Sequence, residues 1–413
     1  MLEDFLVPAA AQRLRSCVVG GHLDAFCAWL ARQGYTPATI HTKLWVVGCL
    51  ARWMSDAHVA IVDLDARRVD EFLGVPGRRG RASRGYRRTL LQLVEQLRLA
   101  GVVRIAEPAA ADSPGGAVLA RYAEYLRRER AIMEGTITAY LWFVRAFVVE
   151  RLDGGDGRPD SLRAVDVREF LLARVRSMVP KRAQYMATTL RSFLRFLFLR
   201  GETATDLSFA VPTVRQWRLT RVPRHLPPRD VERVLRACDR SSATGRRDHA
   251  VLLLLARLGL RASEVVALEL DDVRWRAGEI VVRGKGLVRD RLPLPPDVGK
   301  AVVLYLRKDR PPGNCRRVFL CRRAPHRGFA HPSTVSTIVA RALVRAGLAP
   351  ATRGAHLLRH SLATTMVRRG ASLAEIGQVL RHRSPNTTEI YAKLDFDALR
   401  DVAMPWPATR GAR

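Results

Sequence analysis

At 413 residues, 48% of them hydrophobic and with a mean hydropathy of −0.07, the sequence describes a soluble globular protein of two or three domains, each able to bury its own core. An apolar run such as Val251 to Ala256 is far too short to span a membrane. Acidic Glu3 and Asp4 open the chain without an export pattern, so a cytoplasmic location is expected. Against 39 Asp and Glu stand 70 Lys and Arg, a net charge of +31 that suits a polyanion, DNA or RNA, and exceeds what solubility requires.

Cys17, Cys27, Cys49, Cys238, Cys315 and Cys321 are scattered, with no Cys-x-x-Cys pair and no histidine cluster at ligand spacing. Buried, reduced structural thiols are expected, and no metal site.

In chain order, the first two helical segments resemble each other. Leu23, Phe26, Trp29 and Leu30 answer Leu119, Tyr122, Tyr125 and Leu126. Thr39-Ile40 before Leu44-Trp45 answers Thr136-Ile137 before Leu141-Trp142. Val69 to Leu73 (VDEFL) answers Val167 to Leu171 (VREFL), and Leu90, Leu97 and Gly101 answer Leu190, Leu197 and Gly201. The offset stays at about 96–100 residues, which fits a duplicated domain of four or so helices, each copy ending on a helix-stopping glycine. Before the last helix of each copy a basic loop is expected, with Arg78, Arg79, Arg81 and Arg84 in the first and Lys181 and Arg182 in the second, placed for a phosphate. A solvated charged turn is an equal reading for the first. The last helix of the second copy, with Thr188, Thr189, Arg191 and Arg195, either enters a major groove or faces solvent.

Linkers are expected at Ile105 to Ala117, small and without an apolar period, and at Asp206 to Asp230, where Arg215, Arg218, Arg221 and Arg224 stand among Pro212, Pro223, Pro227 and Pro228. A stiff basic connector suits a phosphate backbone. Beyond it, helices are expected at Asp230 to Ala237, Arg247 to Leu258 and Ala262 to Leu270, then strands at Gly278 to Arg283 and Arg289 to Leu294 meeting at Gly284-Lys285-Gly286, then further helices. The expected organisation is therefore 1–104, a helical DNA-binding or interaction domain; 117–205, its apparent duplicate; a basic linker, 206–229; and 230–413, a mostly helical domain with a small antiparallel sheet.

Five stretches of the last segment belong together. Arg261 and Glu264 stand at helical i, i+3 spacing, Lys285 at a hairpin tip, and His356 and Arg359 on one helical face. Leu380-Arg381-His382 follows, and then Tyr391. Singly, each has a bland reading: a surface charge, a turn, a packed histidine, an interface tyrosine. In this order and spacing they resemble the tyrosine recombinase (phage integrase) family, and HLLRHSLAT is close to that family's signature. The resemblance covers roughly Arg229 to Phe396, and 117–201 more loosely. It implies a mainly α catalytic domain with a small antiparallel sheet, preceded by SAM-like helical core-binding domains.

It also implies roles. Tyr391 attacks a phosphodiester and keeps its energy in a phosphotyrosine, Arg261 and Arg359 clamp the phosphate, Lys285 is the general acid, and His356 and His382 hydrogen-bond the phosphate. Glu264 holds a basic neighbour or is an ordinary helix-start carboxylate. Lys181, Arg182, Arg191, Arg195, Arg215, Arg218 and Arg221 are candidate DNA contacts. The implied partners are double-stranded DNA at the nucleoid and a tetramer on paired sites, made of this chain or shared with related recombinases through a tail such as Leu394 to Trp406. No cofactor, metal or ATP is expected. In place of the family's usual glycine before the second histidine stands Arg381, so the geometry at His382 is open, and Arg383 is an alternative phosphate contact. A type IB topoisomerase shares the site, a DNA-binding protein that no longer cuts is a further alternative, and RNA binding has no stacking-aromatic motif behind it.

Overall fold

The computed structural model describes residues 1–74, 84–103, 113–153, 158–214, 223–284 and 289–394. It is mostly helical with one small antiparallel sheet, as the sequence implies. Backbone contacts divide the chain into two compact units, 1–103 with 219–413, and 104–218.

The N-terminal part of the first unit carries α1 (Pro8–Arg15), α2 (Leu23–Arg32), α3 (Pro37–Asp56), α4 (Ala66–Gly74) and α5 (Arg84–Leu99). Leu23, Phe26, Leu30, Leu44, Leu50, Val69, Leu90 and Leu97 are buried in one cluster. The second unit carries α6 (Pro114–Arg128), α7 (Glu134–Val148), α8 (Ala164–Val175) and α9 (Pro180–Leu199), closed around Tyr122, Phe147, Phe170, Leu190 and Phe193. Gly101 and Gly201 follow α5 and α9 with φ of +72° and +68°, the left-handed stop expected of them. Proline opens α3, α6 and α9, where its missing N–H costs nothing.

Several details differ from the expectation, and Arg84 opens α5 instead of standing in the loop before it. α6 begins at Pro114, so 114–117 is helix, capped by the Ser113 hydroxyl, which accepts from Gly116 N. α9 begins at Pro180, so Lys181 and Arg182 lie in its exposed first turn and not in a loop. In the 206–230 stretch, Leu207–Ala210 is a 3-10 turn whose Leu207 joins the second unit's core. Arg78, Arg79, Arg81, Arg215, Arg218 and Arg221 lie outside the described residues, as does the Arg84 side chain.

The remainder of the first unit carries α10 (Pro228–Arg236), α11 (Ala243–Leu258), α12 (Ala262–Ala267), β1 (Val273–Arg274), β2 (Glu279–Arg283), β3 (Arg289–Pro293), α13 (Pro296–Lys308), α14 (Ser333–Arg345), α15 (His356–Arg368) and α16 (Leu373–Leu380). The helix expected over Ala262 to Leu270 stops at Ala267 and is followed by a 3-10 turn, Leu270–Asp272. The sheet is β1-β2-β3, with Val273 opposite Ile280 and Arg283 opposite Arg289; the two-residue β1 is too short to show an alternating pattern. α11 has every residue from Ala250 to Ala256 buried and forms the spine of this core, with its charged residues confined to its first half and to Arg257. Cys27 and Cys238 are buried, but Cys17, Cys49, Cys315 and Cys321 are only half-buried. All six are unpaired thiols.

Candidate functional site

The site forms where two helices end. α11 stops at Gly259 and α16 at Arg381, both left-handed, with φ of +56° each. Helix C-termini leave carbonyl oxygens without partners and carry partial negative charge, so they attract cations. Arg359, at the end of the first turn of α15 and 3% exposed, donates Nη1 to the carbonyl of Gly259 and Nη2 to that of Leu380. Arg381 makes the parallel pair of contacts one residue back, Nη1 lying 3.0 Å from the Val379 carbonyl and 3.4 Å from that of Leu258. Two guanidiniums thus tie together the ends of α11 and α16.

Arg261 sits just before α12, its side chain one-third exposed. Glu264, in the first turn of α12 and 4% exposed, accepts from the Arg261 backbone N at 2.8 Å and from Arg261 Nη1 at 2.6 Å. Its other donor is Arg381 Nη2, at 2.9 Å. Helix-start carboxylate and holder of a basic neighbour are therefore one and the same role. Burial opposes its ionisation, but the hydrogen bonds from Arg261 and the charges of Arg381 and Arg261 hold its carboxyl below the usual range. Arg261 Nη2 donates to the Arg381 carbonyl at 3.1 Å. Burial, then the charges of Arg261 and Arg381, lower Arg359 to about 10, still well above neutral pH.

Tyr391 lies on a 3-10 turn, Glu389–Leu394, 1% exposed, against Ala363, Val367, Ile376 and Leu380. Burial raises its phenol to about 12, partly offset by the charge of Arg359. Its hydroxyl is 2.6 Å from His360 Nδ1. Burial, reinforced by His356, Arg359 and His225, lowers His360 to about 4, so at neutral pH it is an uncharged, weakly basic hydrogen-bond partner of the phenol. The sequence reading had not singled out His360. Its signal was present, since it stands one turn after His356 on α15, and the two rings lie 6.2 Å apart.

His382 follows the left-handed residue; its Nδ1 is 2.8 Å from Thr388 Oγ1, and burial with Arg359 and Arg261 lowers it to about 4. Arg381 thus adopts a backbone conformation that favours glycine, and Arg383 is exposed. His356 is exposed at the first position of α15. Lys285 lies outside the described residues, between Gly284 and β3. So do most residues of the candidate tail.

On α9, Lys181, Arg182, Thr188 and Arg195 are exposed along one face, with Arg182 stacked 5.0 Å over the Trp142 ring. Thr189 is fully buried and cannot reach a groove. Arg191 is half-buried and donates to the Val211 carbonyl at 3.0 Å.

Comparison with known proteins gives a consistent result. The Phage integrase family matches residues 224–397, and its N-terminal SAM-like domain matches 119–201. The chain is 42% identical over 389 residues to the integrase/recombinase y4rA of Sinorhizobium fredii (strain NBRC 101917 / NGR234), covering 94% of each chain. It is 29% identical to the tyrosine recombinase XerD of Listeria monocytogenes serotype 4b, over 68% of this chain and 95% of that one. In fold it resembles the XerH site-specific recombinase bound to palindromic difH substrate, with a TM-score of 0.54 at 21% identity, over 68% of this chain and 83% of that one. Among the described residues, no helix is long and apolar enough to cross a membrane.

Proposed function

Because this chain belongs to the phage integrase family of tyrosine recombinases, we propose that it recombines double-stranded DNA at specific sites, cutting and rejoining strands through a 3′-phosphotyrosyl link at Tyr391. The observation that carries the reading is the convergence of Arg261, Arg359, His382 and Tyr391 on the ends of α11 and α16, with an uncharged imidazole already at the phenol.

In the forward step the Tyr391 oxygen attacks the scissile phosphorus as its proton passes to His360 Nδ1, whose basicity rises once the negative charge of bound phosphate stands beside it. A P–O bond to the tyrosine forms as the bond to the 5′ oxygen breaks. Arg261 and Arg359 present planar donors to the oxygens on which charge develops. His382 and His356 hydrogen-bond the phosphate, and Lys285 protonates the departing 5′ oxygen, a role typically worth roughly 10²–10⁴-fold. The step conserves the phosphodiester bond energy, so rejoining to a new 5′ hydroxyl is its reverse. Tyr391 is buried in this arrangement, so attack requires its 3-10 turn to shift.

Integration, excision or transposition of a mobile element is the biological setting we assign. The active assembly is a tetramer on paired sites, of this chain or with related recombinases, acting at the bacterial nucleoid. Lys181, Arg182 and Arg195, with the linker arginines, contact the backbone, and residues 1–104 extend that contact or hold a partner.

Covalent trapping tests the reading. Wild-type protein and Tyr391→Phe are mixed with DNA from the native genomic neighbourhood, stopped with SDS, and the attached DNA is sequenced. Tyr391-dependent adducts at a few inverted-repeat sites are expected. Adducts scattered along any DNA, with plasmid relaxation, would identify a type IB topoisomerase instead. Binding without any adduct would mean that a partner recombinase is missing or, if adding related recombinases restores none, that the protein binds DNA without cutting it.

A further inference from the structure

We propose that Arg381 is a positioning residue of the cleavage site: it brackets Arg261, through Glu264 and through its own carbonyl, and adds positive charge behind the phosphate clamp. The proposal rests on the reading of Tyr391 as nucleophile.

Three observations carry it. A non-glycine residue stands at the left-handed end of α16, with φ of +56° and ψ of +50°, a conformation arginine adopts reluctantly. Its side chain is 6% exposed, although nothing on a helix end obliges a long cation to leave water. Finally, every contact it makes bears on the clamp. Its Nη2 meets Glu264 at 2.9 Å, its carbonyl accepts from Arg261 Nη2 at 3.1 Å, and its Nη1 reaches the carbonyls of Val379 and Leu258. The Leu380 and Gly259 carbonyls that hold Arg359 are the next residues along each of those segments. Its Nε is buried without a partner, which shows how far the side chain has been drawn in.

Charge gives the contacts their effect. A carboxylate bonded to Arg261 alone would cancel most of its field at the phosphate. Sharing Glu264 between two guanidiniums leaves the cluster of Arg261, Arg359, Arg381 and Glu264 with two net positive charges, and only one would remain without Arg381. A pentacoordinate phosphorane carries more negative charge than the ground-state phosphodiester, so the added charge favours the transition state over bound DNA.

The test is single-turnover adduct formation on a duplex recovered by the trapping experiment, with Arg381→Gly and Arg381→Lys, alongside duplex binding and thermal midpoints. Glycine suits the backbone at this position, so Arg381→Gly is expected to remain folded and to bind duplex within about twofold of wild type. Its cleavage rate is expected to fall by roughly 10- to 100-fold. The charged groups facing Glu264 are Arg261, Arg381 and Arg359. With Arg381 gone, Glu264 takes up a proton more readily, and its neutralisation restores the second net positive charge, so the rate deficit of Arg381→Gly is expected to shrink on the acid side. Arg381→Lys restores charge without the fork and is expected to fall between. Wild-type rate and pH profile in Arg381→Gly would overturn the proposal alone, and so would a lysine variant as slow as the glycine one. Wild-type protein that forms no Tyr391-dependent adduct, alone or with related recombinases, would overturn the cleavage reading, and this proposal with it.

Discussion

His360 and His382 show what burial among cations does to a single side chain. Both are lowered to about 4 from an ordinary value of 6.5. Between those values the unfolded chain binds more protons than the folded one, so stability is full above about pH 6.5 and falls as the pH drops towards 4. Urea midpoints measured from pH 7.5 to 4.5 are expected to decline over that window. His360→Gln, which keeps a hydrogen-bonding group near Tyr391 but cannot titrate, is expected to flatten part of the decline; an unchanged slope would mean that other groups set it. Residue by residue, Arg261, Arg359, His382 and Tyr391 were legible as one set through an order and spacing that match the family's signature, not through any local period. The pairing of His360 with Tyr391 was not, since the two stand 31 positions apart and meet only once α15 and the 3-10 turn pack. Thr189 failed as a groove contact for a related reason: facing inward or outward on α9 depends on what that helix packs against.

Among the elements, the ends of α11 and α16 matter more than their lengths. Gly259 is the point where α11, α15 and α16 meet. A Cβ there would stand 2.8 Å from Leu380 Cδ2 and 3.1 Å from Leu362 Cδ2, on a backbone with φ of +56°. Gly259→Ala is therefore expected to cost about 1–3 kcal/mol of stability, from strain and displaced leucines together. Because the Gly259 carbonyl also holds Arg359, cleavage is expected to slow at temperatures where the variant is still fully folded. Comparing chemical denaturation with adduct rates at 25 °C checks both; loss of stability at full rate would show that the clamp does not depend on this carbonyl. The helices and the β2–β3 hairpin were legible from apolar period and glycine placement. β1 escaped because two residues carry no period, and α12 ended early because Leu268 leaves helical geometry, with ψ of +128°.

For the whole molecule, charge dominates. Net +31 predicts duplex binding that weakens steeply with salt, by roughly 10³–10⁵ between 50 and 200 mM if six to ten phosphates are neutralised. If Lys181 and Arg182 each neutralise one, the double alanine variant is expected to lower the log–log salt slope by about 2. The same variant should leave adduct rates at saturating DNA near wild type. Fluorescence anisotropy across a salt series measures this, and an unchanged slope would remove the first turn of α9 from the interface. The sequence by itself determined the affinity for a polyanion and the mainly helical architecture, because charge sums over the whole chain and helical period is local. Only the tertiary structure decided that Arg359 and Arg381 close two helix ends, that Glu264 is shared between Arg261 and Arg381, and that His360 meets Tyr391. Those are contacts between residues distant in the chain, and they exist only where packing brings unpaired carbonyls and buried charges together, away from water that would otherwise satisfy them.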